Sequence, residues 1–127
     1  MPKETRPTIL VVDDDSKVLQ QASAMLEMMG YHVFRADSAE QALTIFAGHA
    51  AEIDLLLTDV LMPGLNGPEL AERVHREKPA LPVLLMTGFA GRYQGAADLI
   101  EKPFGIVELQ ERVARALESA PSVRGLP

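Results

Sequence analysis

The sequence contains no cysteine and no tryptophan, and only 5% of its 127 residues are aromatic. The absence of cysteine excludes disulfides, thiol nucleophiles and thiolate metal sites, and it agrees with a reducing compartment. No stretch approaches the roughly 20 apolar residues of a membrane span, and residues 1–7 lack the apolar segment of a signal peptide. We therefore expect a soluble, cytoplasmic protein without a membrane partner.

Basic residues are also in the minority. The chain has 12 Lys and Arg against 18 Asp and Glu, which gives a formal net charge of −6. Because binding to nucleic-acid phosphates requires a basic surface, we do not expect this chain to bind DNA. Its length and its 47% hydrophobic content fit one domain with a substantial core. We predict a polar N-terminal arm at residues 1–7, one domain at residues 8–120 and a frayed tail at residues 121–127.

Short apolar runs alternate with stretches of helical periodicity along the domain. The apolar runs predict strands at residues 9–12, 54–58 and 82–86. Residues 31–36 alternate weakly and predict a short edge strand, and residues 98–101 predict a short fifth strand. The periodic stretches predict helices at residues 16–29, around residues 39–46, after residue 68 and at residues 105–120. This alternation predicts an α/β fold, a doubly wound sandwich built on a five-stranded parallel sheet.

The connection between the fourth and fifth predicted strands is unusually short. Only ten residues, 88–97, separate Thr87 from Asp98, and three of them are glycine. A parallel crossover normally needs a dozen or more residues and usually contains a helix, and each glycine costs about 1 kcal/mol in a helix interior. We therefore expect the fourth helix of the fold to be shortened or missing, with a loop or a single turn in its place.

Capping residues mark the ends of the predicted helices. Asp15 or Ser16 is a candidate N-cap for the first helix, and Gly30 is a candidate C-cap residue. Ser38 with Gln41 three residues later has the spacing of a capping box at the second helix.

Polar residues follow the apolar strands at their predicted carboxyl ends: Asp13, Asp14, Asp59, Thr87 and Lys102. In open α/β sheets the ligand site lies just outside the carboxyl ends of the strands, so we expect these side chains to lie close together. Three neighbouring carboxylates would repel one another, and a hard divalent cation would relieve that repulsion. Mg²⁺ takes oxygen ligands of this kind, so the sequence predicts a magnesium site.

The same residue types fit phosphoryl transfer. A carboxylate can attack a phosphoryl group and form an aspartyl phosphate. Such transfer is catalysed mainly by positioning and by offsetting charge, commonly with a metal ion and a lysine. A threonine hydroxyl can donate a hydrogen bond to one phosphoryl oxygen.

Four short motifs at the predicted strand ends resemble those of the receiver domain of two-component response regulators. They lie at residues 11–14 (VVDD), 57–64 (LTDVLMPG), 85–88 (LMTG) and 101–104 (EKPF). Each motif is weak alone, but all four in this order are specific, and the resemblance covers residues 8–117. It implies a CheY-like fold with strand order 2-1-3-4-5 and a function in phosphorelay signal transduction.

The resemblance also implies a role for each site residue. Asp59 would be the phosphoacceptor, which takes a phosphoryl group from a sensor histidine kinase or a histidine phosphotransfer protein. Asp14 would bind Mg²⁺ directly and Asp13 through water, and Asp59 and the backbone carbonyl of Leu61 would complete the protein ligands. Lys102 would contact the phosphoryl group.

Two further expectations follow from the resemblance, and one residue departs from it. Thr87 would turn toward the phosphoryl group, and the peptide bond before Pro103 would be cis. The family usually has an aromatic residue where this chain has Leu99. Any coupling of the threonine to an aromatic side chain would therefore have to use Phe89 or Tyr93.

The resemblance implies a bacterial signalling switch and not a turnover enzyme, one that catalyses its own phosphorylation and dephosphorylation. Its partner would be a downstream protein effector, and the chain would be a monomer or a weak dimer. One alternative is an aspartate-based phosphatase similar to the haloacid dehalogenases. Asp13 would then be the nucleophile and Asp15 the acid/base, although Lys17 stands where that motif usually has Thr or Val. The other alternative is a docking module that is not phosphorylated.

Overall fold

Each apolar run of the sequence forms a strand, and the strands pair into one parallel sheet. The computed structural model describes residues 6–88 and 98–118. Within these ranges the elements are β1 Thr8–Val12, α1 Ser16–Met28, β2 His32–Ala36, α2 Ala39–His49, β3 Leu55–Asp59, α3 Gly67–Glu77, β4 Val83–Thr87, β5 Asp98–Glu101 and α4 Ile106–Glu118. The strands lie in the order β2-β1-β3-β4-β5, and every neighbouring pair is parallel. The predicted strand order is confirmed.

An apolar core lies on each face of the sheet, because alternate residues of a strand point to opposite faces. Ile9 and Val11 of β1 pack with α1 and α4, whereas Leu10 and Val12 pack with α2 and α3 on the other face. The middle strand, β3, is buried at all five of its positions. Helices on both faces of a parallel sheet confirm the predicted doubly wound architecture.

Both ends of α1 are capped by hydrogen bonds. Asp15 is the N-cap, and its side chain accepts hydrogen bonds from two backbone N–H groups of the first turn. At the other end Gly30 has φ +97°, a conformation that glycine adopts without a Cβ penalty. The Gly30 N–H donates to the Glu27 carbonyl at 3.0 Å, and the Tyr31 N–H donates to the Leu26 carbonyl at 3.1 Å. These two bonds form a Schellman motif, which confirms Gly30 as a capping residue.

The N-terminus of α2 is capped differently from the prediction, and that of α3 has a cap for which no prediction was made. Ser38 Oγ accepts the Gln41 N–H at 3.0 Å, but the Gln41 side chain accepts from the Asp37 N–H at 2.7 Å. Only half of the predicted capping box is therefore present. A complete box lies at α3, which the sequence analysis did not predict. Asn66 Oδ1 accepts the Glu69 N–H at 2.8 Å, and Glu69 Oε1 accepts the Asn66 N–H at 2.9 Å.

Three predictions fall at least partly outside the described ranges. The shortened or missing helix between β4 and β5 would lie within residues 89–97, and most of the arm and all of the tail fall at residues 1–5 and 119–127. The last described helix, α4, is recorded to Glu118. None of the described helices combines the length and the apolar character required to traverse a bilayer.

Candidate functional site

The carboxyl ends of neighbouring strands meet at one edge of the sheet. Asp13 follows β1 directly, Asp59 is the last residue of β3, and Thr87 is the last residue of β4. Strand β3 therefore ends one residue later than predicted. Lys102 follows β5, and its backbone N–H donates to the Thr87 carbonyl at 2.8 Å. Because the strands are parallel and adjacent, the fold gathers residues that are far apart in the sequence.

Three carboxylates lie together at this edge. Asp13, Asp14 and Asp59 each offer a carboxylate oxygen, and these oxygens lie within 4.8 Å of one another. Asp13 is fully buried and Asp59 is 7% exposed, whereas Asp14 faces solvent. Hard oxygen ligands at this spacing, open to water on one side, suit a divalent cation such as Mg²⁺, which keeps part of its water shell.

Lys102 bridges the two buried carboxylates. Its Nζ lies 3.0 Å from Asp59 Oδ1 and 3.2 Å from Asp13 Oδ2. The peptide bond between Lys102 and Pro103 is cis, as the family resemblance implied. The lysine side chain is only 23% exposed, so its charge acts within a partly desolvated site.

Burial and charge shift the pKa values of the central pair. Burial raises the pKa of the Asp59 carboxyl above 3.8; the hydrogen bond from Lys102 opposes this rise, and the charges of Asp13 and Asp14 add to it. Burial alone would lower the pKa of Lys102, but its hydrogen bond to Asp59 and the charge of Asp13 raise that pKa above 10.5. Lys102 is therefore a fixed cation inside a cluster that still carries excess negative charge.

The side chains next to the cluster have defined partners. Asp13 Oδ1 accepts the Asp15 N–H at 2.8 Å, and the Asp13 N–H donates to the Ala36 carbonyl at 3.2 Å. Asp15 Oδ1 accepts the Lys17 N–H at 2.9 Å as the helix cap. Both acids of the alternative phosphatase motif are thus engaged, Asp13 with Lys102 and Asp15 with the start of α1.

The remaining predicted residues lie around the same edge. Thr87 is 3% exposed, and Leu61 lies in the loop after β3 with its side chain 59% exposed. The role of the Leu61 carbonyl as a ligand stays a prediction. Leu99 is partly buried on β5, in register with Leu85 of β4. Phe89 and Tyr93, the suggested aromatic substitutes, lie outside the described residues.

The backbone of the acceptor position has two contacts that the sequence analysis missed. Thr58 Oγ1 donates to the Asp59 backbone carbonyl at 3.0 Å, and both residues are buried. The Gly67 N–H donates to the Val60 carbonyl at 2.9 Å. A Cβ atom on Gly67 would lie only 2.3 Å from the Asp59 carbonyl oxygen. The signal in the sequence was the glycine itself, directly before Pro68 at the start of the predicted third helix. The structure shows that its φ is not positive, so its backbone angles do not require glycine.

Comparison with protein families and curated sequences identifies the relatives of this chain. The family model of the response regulator receiver domain matches residues 9–114. The response regulator protein FleR of Pseudomonas aeruginosa is 38% identical over 114 residues, which cover 84% of this chain and 24% of that protein. The phosphate regulon regulatory protein PhoB of the same species is 34% identical, over 87% of this chain and 51% of that protein. The chain thus spans about a quarter to a half of these curated relatives.

Solved structures agree with the sequence relatives. The receiver domain of the hybrid histidine kinase CckA is 36% identical and superposes with a TM-score of 0.77, over 87% of this chain and 98% of that one. A putative response regulator from Chloroflexus aurantiacus is 36% identical with a TM-score of 0.79, over 90% and 99% of the two chains. The match covers the sheet, the helices and the strand-end cluster. This chain belongs to the family of response regulator receiver domains.

Proposed function

We propose that this chain is a phosphorylatable receiver that accepts a phosphoryl group on Asp59. The donor is a phosphohistidine, on a sensor histidine kinase or on a histidine phosphotransfer protein. The supporting observation is the pairing of one buried carboxylate with one partly buried cation, Asp59 Oδ1 to Lys102 Nζ at 3.0 Å, beside two further carboxylates. Family membership supports this role, and the short distance to Lys102 supports Asp59 as the acceptor.

The arrangement suits in-line transfer to a carboxylate. An oxygen of Asp59 attacks phosphorus, the P–N bond of phosphohistidine breaks, and the imidazole leaves with the bonding electron pair. The product is an acyl phosphate on Asp59. Lys102, already beside Asp59, offsets the negative charge that the phosphoryl oxygens bring into the site.

The acidic cluster fits Mg²⁺ by the chemistry of its donors. Asp13, Asp14 and Asp59 would hold the ion with the backbone carbonyl of Leu61, and Asp13 would act through a water molecule. When bound, the ion offsets charge on the phosphoryl oxygens. Burial raises the pKa of Asp59, and the charges of Asp13 and Asp14, which the ion would offset, add to that rise.

The proposed output is a change in binding to a downstream protein effector. Thr87 is the proposed sensor of phosphorylation, because it ends β4 beside Lys102 and is almost fully buried. Its hydroxyl would donate to a phosphoryl oxygen on Asp59. The chain would act as a cytoplasmic switch, a monomer or weak dimer that catalyses its own phosphorylation and dephosphorylation and does not itself bind DNA.

Neither alternative function has an observation in its favour. A phosphatase with Asp13 as nucleophile would need that carboxylate accessible, but Asp13 has no exposed surface, whereas Asp59 retains 7%. A docking module that is never phosphorylated would have no need for a buried, electrostatically costly cluster.

The test is intact mass spectrometry of the protein with acetyl phosphate and Mg²⁺, followed by mapping of the labile adduct. We expect one phosphoryl group on Asp59 in the wild-type chain and none in Asp59→Asn. Asp98→Asn is the matched control, because Asp98 is an exposed aspartate at the opposite end of a strand, on the amino side of β5. That variant should be labelled as the wild type is.

Other outcomes would each contradict the proposal. An adduct on Asp13 with rapid release of phosphate would indicate the phosphatase. Absence of an adduct with acetyl phosphate and with a phosphohistidine donor would indicate the docking module.

A further inference from the structure

The backbone carbonyl of Asp59 has two close neighbours. The Thr58 hydroxyl, fully buried, donates to it at 3.0 Å. The first residue of α3, Gly67, lies so close that a Cβ there would be 2.3 Å from the same oxygen. Contacts between carbon and a carbonyl oxygen are ordinarily about 3.3 Å or longer. Any side chain at Gly67 would therefore displace the Asp59 carbonyl, or α3, by about 1 Å.

The peptide between Asp59 and Val60 is also held at its N–H group, and the following peptide is held at its carbonyl. The Val60 N–H donates to the Met86 carbonyl of β4 at 3.0 Å, and the Val60 carbonyl accepts the Gly67 N–H at 2.9 Å. The backbone carbonyls of Asp59 and Val60 thus accept hydrogen bonds from Thr58 and Gly67, respectively. The plane of the peptide between Asp59 and Val60 cannot rotate without breaking the bond to Thr58 or the bond to Met86.

The lack of space for a side chain, and not a special backbone conformation, explains why residue 67 is glycine. The described glycines with positive φ are Gly30 and Gly64, so Gly67 has angles open to any residue. Gly67 is buried, and the nearest atoms to its missing Cβ are all backbone atoms of Asp59 and Val60. Backbone atoms cannot move aside as a flexible side chain can.

We propose that Thr58 and Gly67 are positioning residues for phosphoryl transfer, which fix the peptide between Asp59 and Val60. This inference rests on the proposed function. Fixing that peptide sets the direction of the Asp59 side chain toward Lys102. It also sets the start of the loop that carries Leu61, so the nucleophile and a proposed metal ligand share one anchored backbone.

The energetic reason is the sensitivity of transfer reactions to geometry. Reacting atoms must approach within a few tenths of an ångström of the productive arrangement, and a misplacement of about 1 Å can reduce a rate about 100-fold. Neither Thr58 nor Gly67 needs to touch the phosphoryl group for this effect. Each acts through the backbone of Asp59.

The hydroxyl contact is tested with two substitutions that separate chemistry from packing. Thr58→Val keeps the branched shape that suits a strand but removes the hydroxyl, whereas Thr58→Ser keeps the hydroxyl but loses a buried methyl. The measurements are the rate of labelling by acetyl phosphate at saturating Mg²⁺, and stability in urea. We expect Thr58→Val to be labelled about tenfold more slowly and Thr58→Ser to be labelled near the wild-type rate.

Stability should follow the opposite order, with Thr58→Ser the less stable variant. A merely structural role for Thr58 predicts instead that labelling follows stability, with Thr58→Ser slower than Thr58→Val. That order, or a wild-type rate in Thr58→Val, would overturn the proposal.

The close approach at α3 is tested with Gly67→Ala. Gly48→Ala is the matched control, because Gly48 also lies in a helix and its missing Cβ has no atom within 4 Å. We expect Gly48→Ala to be labelled as the wild type is, and Gly67→Ala to be labelled at least about tenfold more slowly. A Gly67→Ala chain that folds and is labelled at the wild-type rate would overturn the role of Gly67. If Gly67→Ala does not fold, the labelling rates of Thr58→Val and Thr58→Ser test the proposal.

The same labelling experiments test the proposed function and the positioning roles of Thr58 and Gly67 separately. If the wild-type chain is never labelled, the proposed function fails and this inference falls with it. If the wild-type chain is labelled and the variants match it, only the positioning roles fail.

Discussion

Asp59 carries a structural penalty for its proposed chemistry. The carboxyl is almost fully buried beside two other carboxylates, and the charge of Lys102 offsets only part of the repulsion. Its pKa is therefore raised, chiefly by burial. A carboxylate kept in such surroundings favours the unfolded chain, where water solvates it.

Asp59→Asn is expected to stabilise the protein in metal-free buffer at neutral pH, on the order of 1 kcal/mol. Because the folded-state pKa of Asp59 lies above its unfolded value of 3.8, the folded chain binds this proton more tightly than the unfolded chain does. The carboxyl therefore favours folding most below the unfolded pKa, and this contribution is lost as pH rises through the folded pKa.

The gain from asparagine should accordingly be small below pH 3.8, grow as the pH rises above that value, and level off above the folded-state pKa. Urea unfolding with chelator, at several pH values, measures it. Asp98→Asn should show no such growth, because Asp98 is exposed. A variant at Asp59 that is less stable than the wild type at pH 7 would mean that the carboxylate supports the fold.

At the scale of elements, the start of α3 matters most for the site. The helix begins at Gly67, directly after the Asn66 cap, and this places its first turn against β3. The reciprocal bonds between Asn66 and Glu69 fix where the helix starts. The capping box thus determines which residue lies against the acceptor peptide.

Asn66→Ala is expected to lower the free energy of unfolding by about 1 kcal/mol, the usual cost of removing an N-cap. Glu69→Ala should lower it less, and the double variant should lose less than the sum, because both residues serve one box. Urea unfolding of the three variants measures the coupling. Glu72→Ala is the control, an exposed glutamate one turn further along α3. Full additivity of Asn66→Ala and Glu69→Ala would contradict the reciprocal box.

The elements could be predicted from the sequence because β1, β3 and β4 are short apolar runs and each helix has an apolar stripe. The grouping of Asp13, Asp59, Thr87 and Lys102 could be predicted as well, since parallel strands end at one edge. The contact of Gly67 with the Asp59 carbonyl could not be predicted. That contact depends on the path of the loop from residue 60 to residue 66, which no local pattern encodes. The cis bond before Pro103 came from the family resemblance alone.

At the scale of the whole molecule, the site depends on the assembled sheet. Its residues come from the ends of β1, β3, β4 and β5, so the cluster exists only when these strands are paired. An unfolded chain cannot hold its three carboxylates within 4.8 Å of one another. A ligand of the cluster is therefore a ligand of the folded state, and its binding free energy adds to the stability of the entire domain.

Mg²⁺ is accordingly expected to stabilise the wild-type chain against urea, by about 1.4 kcal/mol at an ion concentration ten times Kd. Relief of the repulsion that burdens Asp59 is one contribution to this binding free energy. Asp14→Asn should lose most of this stabilisation by Mg²⁺, because Asp14 belongs to the cluster. Because Asp14 is exposed, removing its charge should leave the metal-free fold intact.

The control for general screening of the net charge of −6 is sodium chloride at matched ionic strength. Asp98→Asn should keep the full response to Mg²⁺, since it removes the same charge at the opposite end of a strand. An equal response in Asp14→Asn and the wild type would mean that the ion acts by screening and that the acidic cluster is not its site. If Asp14→Asn alone loses the response, the carboxylates brought together by the strand ends form the metal site, and the stability of the sheet is linked to its occupancy.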